Sequence, residues 1–266
     1  MLAAIDDGIL YLRESEDSQA HNQGPTMSTQ YGKSFFADRR ALTVASAERV
    51  LEILWEHVQP QSVLDAGCAT GIWLAACKMR GATTVCGIDG SWMPLEQLEI
   101  EASEFSEHDF GKSMPSETGN FDMALCIELA EHLSVSAGRE LIDFLTAHTD
   151  LVLFSAAVPG QGGTGHINER VQSYWHELFS GRDFVCFDII RPAIWEDGRV
   201  NVIYRQNMLL YARSGSEAYR ALATNAAVSS KISSSYELDR VHPDLFAMRS
   251  KKTKLRTSKR IKNRLR

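Results

Sequence analysis

From residue 46 to residue 158 the chain alternates two patterns. Apolar runs of five to eight residues give way to stretches where apolar side chains recur every three or four positions. Val50, Leu51, Leu54, Trp55 and Val58 line one face of a helix predicted over Ser46–Val58, and Pro60 follows its end. The run Ser62–Cys68 predicts a strand that enters a glycine turn. A helix over Ile72–Met79, a strand over Thr84–Asp89 and a short helix over Pro94–Glu101 come next. A third strand is expected over Glu101–Phe105 and a fourth over Phe121–Ile127. A helix from about Ser134 to His148 precedes a fifth apolar run, Leu151–Val158, which Pro159-Gly160 stops. Strands that alternate with helices imply right-handed crossovers and a parallel sheet covered on both faces.

After residue 158 the pattern changes. Residues 159–168 form a glycine-rich loop, and Val171–Ser180 reads as helix. Asp183–Ile190 and Asn201–Tyr211 read as two strands with a turn near Asp197-Gly198. The fold expected is α/β, a Rossmann-like doubly wound, mostly parallel seven-stranded sheet that ends in an antiparallel hairpin. Residues 1–28 are too polar to bury much surface and are expected to be poorly ordered. The catalytic domain is expected over residues 29–212, and 213–266 read as a loosely attached extension with a basic tail.

The charge is divided unevenly. The chain of 266 residues has 28 Lys/Arg and 34 Asp/Glu, a formal net charge of −6. Nine of the basic residues lie in 251–266, which has no acid; the remainder carries 19 basic against 34 acidic residues, or −15. That acidity disfavours a body that binds nucleic acid, and leaves such binding conceivable only through the tail. The five cysteines form no C-x-x-C pair and mostly sit in apolar runs, the usage of buried thiols in a reducing compartment. No apolar run is long enough to span a bilayer, and Asp6 and Asp7 stand where a signal peptide needs positive charge. A cytoplasmic protein is expected.

The chemistry concentrates at strand ends. Val63-Leu64-Asp65-Ala66-Gly67-Cys68-Ala69-Thr70-Gly71 places an acid before two glycines four residues apart. Glycine lets a ligand lie against bare backbone, and the helix that follows offers free N–H groups. The G-x-G-x-x-G spacing that seats a pyrophosphate is absent, which argues against a nicotinamide oxidoreductase. A carboxylate beside such a turn suits a ligand with an ammonium group and no phosphate. Asp89 ends the next strand, where it can accept both hydroxyls of a ribose. Asp109-Phe110, after the third strand, could meet an adenine amino group and ring face.

With these features the chain resembles the class I methyltransferases that depend on S-adenosylmethionine (SAM). The resemblance spans roughly residues 30–212 and rests on LDAGCATG, GIDG, the HDF segment and FDMALCIELAEHL. Ala69 stands where many members have a third glycine. The resemblance implies that Gly67, Cys68 and Gly71 flank the methionine part of SAM and that Asp65 orients the site. It also implies that Asp89 holds the ribose, that Asp109 and Phe110 meet the adenine, and that Ile127 lies beside the methionine chain.

Glu128, Glu131 and His132 stand at i, i+3 and i+4, so a helical turn would put them on one face. With His166 from the GTGHINE loop they could bind a divalent cation. The E-x-x-E-H segment is similar to that of ubiquinone-pathway and small-RNA 2′-O-methyltransferases, some of which use magnesium there; capping and packing roles compete with that reading. His166 or His132 could also act as the base for a hydroxyl acceptor. The loop glycines would make a lid over that acceptor. Tyr174, Trp175 and Trp195 fit a core better than a pocket, and Tyr204-Arg205-Gln206-Asn207 reads as structural. The acceptor expected is a hydroxyl of a small molecule or glycan; RNA, protein, or a module that binds SAM without catalysis are the alternatives.

Overall fold

A computed structural model describes residues 40–116, 118–224 and 235–250. The expected segment 1–28 and the basic tail 251–266 lie outside the described residues. Helix α1, Arg40–Trp55, buries Ala47, Val50, Leu51 and Leu54. Strand β1, Ser62–Ala66, is almost wholly buried, as expected where helices cover both faces of a sheet. It is followed by α2, Ile72–Met79, and β2, Thr84–Asp89. Then come β3, Phe105–Glu107, β4, Met123–Ile127, α3, Val135–His148, and β5, Leu151–Ser155. Ser134 caps α3 by accepting a hydrogen bond from the N–H of Ala137. Helix α4, Gln172–Ser180, leads to β6, Phe184–Phe187, α5, Ile190–Ile194, α6, Val202–Asn207, and β7, Leu209–Arg213. Helix α7, Glu217–Thr224, follows, with α8, Ser235–Leu238, and α9 over 243–250.

The seven strands form one sheet in the order β3-β2-β1-β4-β5-β7-β6. Strand β1 pairs in parallel with β2 (Ser62 opposite Thr84) and with β4 (Val63 opposite Met123), and β4 with β5. Only β7 runs the other way, antiparallel to both β5 and β6. Alternate strand residues feed two cores. Val63, Leu125 and Leu153 pack with α1 and α2, while Leu64, Cys126 and Phe154 pack with α3 and α4. The α/β sheet with its reversed end is the fold expected from the pattern.

Several boundaries differ. The stretch read as a strand over Asn201–Tyr211 is helix up to Asn207 and strand only from Leu209. Asn201 starts that helix: its side chain accepts from the N–H of Ile203, and its own N–H is bonded to Ser46. The strand read over Asp183–Ile190 stops at Phe187, and α5 begins at Ile190. The antiparallel pair β6–β7 is therefore joined by two helices and not by a turn at Asp197-Gly198. A capping box between Glu101 and Glu104 closes a 3₁₀ turn, Ala102–Glu104, which moves the third strand to Phe105–Glu107. The helix expected over Pro94–Glu101 is a single 3₁₀ turn, Leu95–Gln97.

Residues 235–250, within the expected extension, are tied to the domain. Asp239 accepts from both the N–H and the hydroxyl of Ser173, Gln206 bridges the backbone of Arg240 and His242, and Arg205 pairs with Asp244.

Candidate functional site

Strands β1, β2, β3 and β4 are mutually parallel, so their C-terminal ends open on one edge of the sheet, the edge where α/β folds bind ligands. Asp65, Gly67, Cys68, Gly71, Asp89, Asp109, Phe110, Ile127, Glu128, Glu131 and His132 lie at or just after these ends, and His166 comes from the loop after β5. The turn after β1 carries three residues in left-handed conformation: Gly67 (φ 80°), Ala69 (φ 47°) and Gly71 (φ 78°). A Cβ at Gly67 would lie 3.0 Å from Leu129, and one at Gly71 would lie 2.9 Å from Ile100. Both glycines are thus required by φ and by space. Ala69 holds its conformation because its N–H donates to Asp89 Oδ2 at 2.9 Å, while Asp89 Oδ1 accepts from the N–H of Gly90 at 2.7 Å.

The Cys68 thiol points beneath the turn, against Gly87, and burial pushes its pKa well up. Its backbone, not its sulfur, is what the turn can offer a ligand. Asp65 is 1% exposed and its Oδ1 has no hydrogen-bond partner among the described residues. Burial, then the nearby Asp89 carboxylate, raise its pKa well above the ordinary carboxylate value.

After β3, Asp109 Oδ1 accepts from the N–H of Gly111 and Oδ2 lies 3.1 Å from Lys112. Phe110 is buried and edge-on to Phe144, so its ring packs as part of the core. Trp92 went unnoticed in the sequence. Its ring lies over Gly90, where a Cβ would be 2.2 Å away, and its indole hydrogen-bonds the Asp89 carboxylate.

The end of β4 carries the second group. Ile127 is half-buried at the strand end. Glu128 has φ 55°, uncommon for a residue with a Cβ, and its N–H donates to the Ser155 carbonyl at 3.0 Å. A 3₁₀ turn, Ala130–His132, then presents Glu131 and His132. Glu131 is fully buried and both carboxyl oxygens lack a hydrogen-bond partner among the described residues. Burial and the adjacent Glu128 carboxylate raise its pKa well above normal. His132 is held neutral: burial, with His166 adding to it, lowers its pKa to about 4.

The loop expected to be a lid wraps this turn. His166 stands edge-on to His132, ring centroids 4.8 Å apart, and its Nδ1 is 2.9 Å from Glu169. Glu169 also accepts from the N–H groups of Gly160 and Gly162. A Cβ at Gly163 would collide with His166 Nε2. One oxygen of Glu131 and a ring nitrogen of each histidine lie within 4.8 Å of one another. Glu128, expected as the fourth ligand, is not in that cluster. Its Oε1 accepts from Asn207 at 2.9 Å and its Oε2 from Gln161 at 2.8 Å. Gln161 and Asn207 were not anticipated as site residues; Asn207 had been read as structural, within the last strand. Trp175 is in the core, and Trp195 packs against His242 with the two rings tilted.

The profile of the methyltransferase domain family matches residues 36–187. The chain therefore belongs to that family, and its class is that of the SAM-dependent methyltransferases, as the glycine turn led us to expect. Among curated proteins it is similar to the ubiquinone biosynthesis O-methyltransferase of Pseudomonas syringae pv. tomato, 38% identical over 82 residues. That of Pseudomonas putida strain KT2440 is 37% identical over 82 residues. In both cases the match covers 27% of this chain and 34% of the relative, so the chain spans about a third of the length of these relatives. Among solved structures, the magnesium protoporphyrin IX methyltransferase of Synechocystis PCC 6803 with bound SAM has TM-score 0.49 at 15% identity. That alignment covers 73% of this chain and all of the other. No helix among the described residues is long and apolar enough to cross a membrane.

Proposed function

We propose that the protein is a SAM-dependent O-methyltransferase that acts on a hydroxyl of a small molecule or glycan. The observation that supports this most is the adjacency of two devices on one sheet edge: a glycine cradle with an orphaned carboxylate oxygen, and a buried cluster of Glu131, His132 and His166. The matched curated relatives are O-methyltransferases, which favours oxygen over nitrogen or carbon as the acceptor atom. The acidic body weighs against RNA. Five free thiols suit the cytoplasm.

The cradle fits SAM, because the turn presents bare backbone at Gly67 and Gly71, and Asp65 has a buried oxygen without a partner among the described residues, open to a cation. When bound, SAM supplies an electrophilic methyl group on sulfonium. Asp89 would orient the ribose end, Asp109 the adenine end, and the backbone of Gly67, Cys68 and Gly71 with Ile127 the methionine end. In-line transfer then depends on alignment and on removal of the acceptor's proton as the new C–O bond forms and the C–S bond to the sulfonium breaks, its electron pair leaving on the sulfur as a neutral thioether.

The cluster also fits a divalent cation, since Glu131 has two buried oxygens without partners among the described residues and His132 is neutral. Two imidazoles and one carboxylate are a donor set suited to manganese, iron, cobalt or zinc better than to magnesium, which prefers oxygen. Such an ion, when bound, would polarise the acceptor oxygen. Glu131, His132 and His166 would hold it, and Glu169 would orient His166. Without an ion, His166 paired to Glu169 is the residue placed to take the proton.

The test is methyl transfer to a panel of phenols and sugar hydroxyls, with and without EDTA. Activity that EDTA abolishes and manganese restores supports the cation. Activity indifferent to chelation rejects it and leaves His166 as base. SAM binding without turnover on any acceptor rejects the O-methyltransferase reading.

A further inference from the structure

Glu128 is surrounded by an ordered chain of amides whose direction is fixed at one end. The Ala156 carbonyl can only accept, so the group that meets it at 3.1 Å is the Gln172 amide nitrogen. The same nitrogen donates to Asn207 Oδ1 at 3.1 Å. That turns the Asn207 amide nitrogen toward both Glu128 Oε1 and Gln161 Oε1, each at 2.9 Å. Gln161 must then direct its own nitrogen to Glu128 Oε2, at 2.8 Å. No amide in the chain can be flipped without facing like against like. Gln161, Gln172 and Asn207 are all buried. The arrangement demands an acceptor at both Glu128 oxygens, and the left-handed backbone of Glu128 holds the carboxylate where the amides converge.

Gln161 belongs to the glycine-rich loop. Gly160 and Gly162 flank it with positive φ, and further along the loop Gly163 lies against His166 and Gly165 hydrogen-bonds His132. We propose that Asn207 and Gln161 are positioning residues that read the Glu128 carboxylate and thereby lock the loop over the Glu131, His132 and His166 cluster. The loop closes against a pair of accepting oxygens rather than against a shape. This deepens the proposed function, since it makes assembly of the acceptor side conditional on Glu128.

The experiment is hydrogen–deuterium exchange over residues 159–165 of the full chain, for the natural protein and for Glu128→Gln and Asn207→Asp. S-Adenosylhomocysteine (SAH) is titrated into each by calorimetry in parallel. Both substitutions conserve size but put like groups face to face, so loop exchange should rise about tenfold or more, while SAH affinity should stay within about twofold because the glycine cradle is untouched. A space-filling role for these side chains would leave exchange unchanged. Exchange in Glu128→Gln equal to that of the natural protein overturns the proposal. If Asn207→Asp does not fold, Glu128→Gln decides alone, with Gln161→Leu as the second variant. Failure of the natural protein to bind SAH would instead overturn the SAM reading, whatever the loop does.

Discussion

The two halves of the strand-end edge hold their carboxylates by different means. Around β1 and β2 the work is done by backbone: Asp89 clasps the N–H groups of Ala69 and Gly90, and the turn bends where Gly67 and Gly71 allow it. Around β4 the Glu128 carboxyl is held by side chains from far along the chain, Gln161 of the loop and Asn207 of α6, with Gln172 of α4 bonded to Asn207 behind them. Local backbone geometry makes a surface that many variants of one ligand shape can use. A converging set of side chains makes a particular acceptor site, and it concentrates buried polar groups with their desolvation cost. In the proposed function the first half would hold the cofactor and the second would carry the chemistry.

The comparison breaks most visibly at Gly71. Gly71→Val adds a Cβ at φ 78° and 2.9 Å from Ile100, a combination of strain and overpacking that costs about 2–4 kcal/mol. Chemical denaturation should show that loss, and SAH binding should disappear. Retained binding would mean the turn is not the cradle.

The β4 half should answer to pH. His132 has a folded pKa of about 4 against an ordinary 6.5, so the unfolded chain takes up its proton first as pH falls. Its contribution is intact above pH 6.5 and is lost progressively down to about 4. Between about pH 7 and about pH 4.5 it should cost up to about 3 kcal/mol. Denaturant unfolding at both values should show a steeper drop for the natural protein than for His132→Asn; equal drops would mean that His132 is not held neutral by its surroundings.

A smaller effect of opposite sign belongs to Glu131. Two buried oxygens without partners among the described residues carry a desolvation cost, so Glu131→Met should stabilise by on the order of 1–2 kcal/mol. The same variant should lose methyl transfer. A destabilised Glu131→Met would show that the carboxyl is structural.

The two halves also differ in how much of them could be read from residues alone. Asp65, Gly67, Gly71 and Asp89 lie within one strand–turn–helix–strand unit, and turn chemistry at fixed short offsets is visible along a chain. The E-x-x-E-H triplet was visible for the same reason, and so was His166 as a candidate in its glycine loop. Asn207 was not, since it meets Glu128 across 79 positions and Gln161 across 46. Amides carry no periodic signal, and the apolar Val202-Ile203-Tyr204 stretch before Asn207 suits a strand as well as the helix it forms. Phe110 carries a related ambiguity: an aromatic after a strand-end acid fits a ligand or a core, and its ring packs on Phe144. Trp92 escaped because nothing marks an aromatic that folds back over a glycine two positions earlier.

The central claim is that this edge binds SAM through Asp89 and the glycine turn. Calorimetric titration of SAM into the natural protein and into Asp89→Ala tests it most directly. Saturable binding to one site is expected, weakened in the variant by about 1–3 kcal/mol, or roughly 5- to 150-fold, the range for losing hydrogen bonds to a charged group. Equal affinity in the two proteins, or no binding in either, would contradict it.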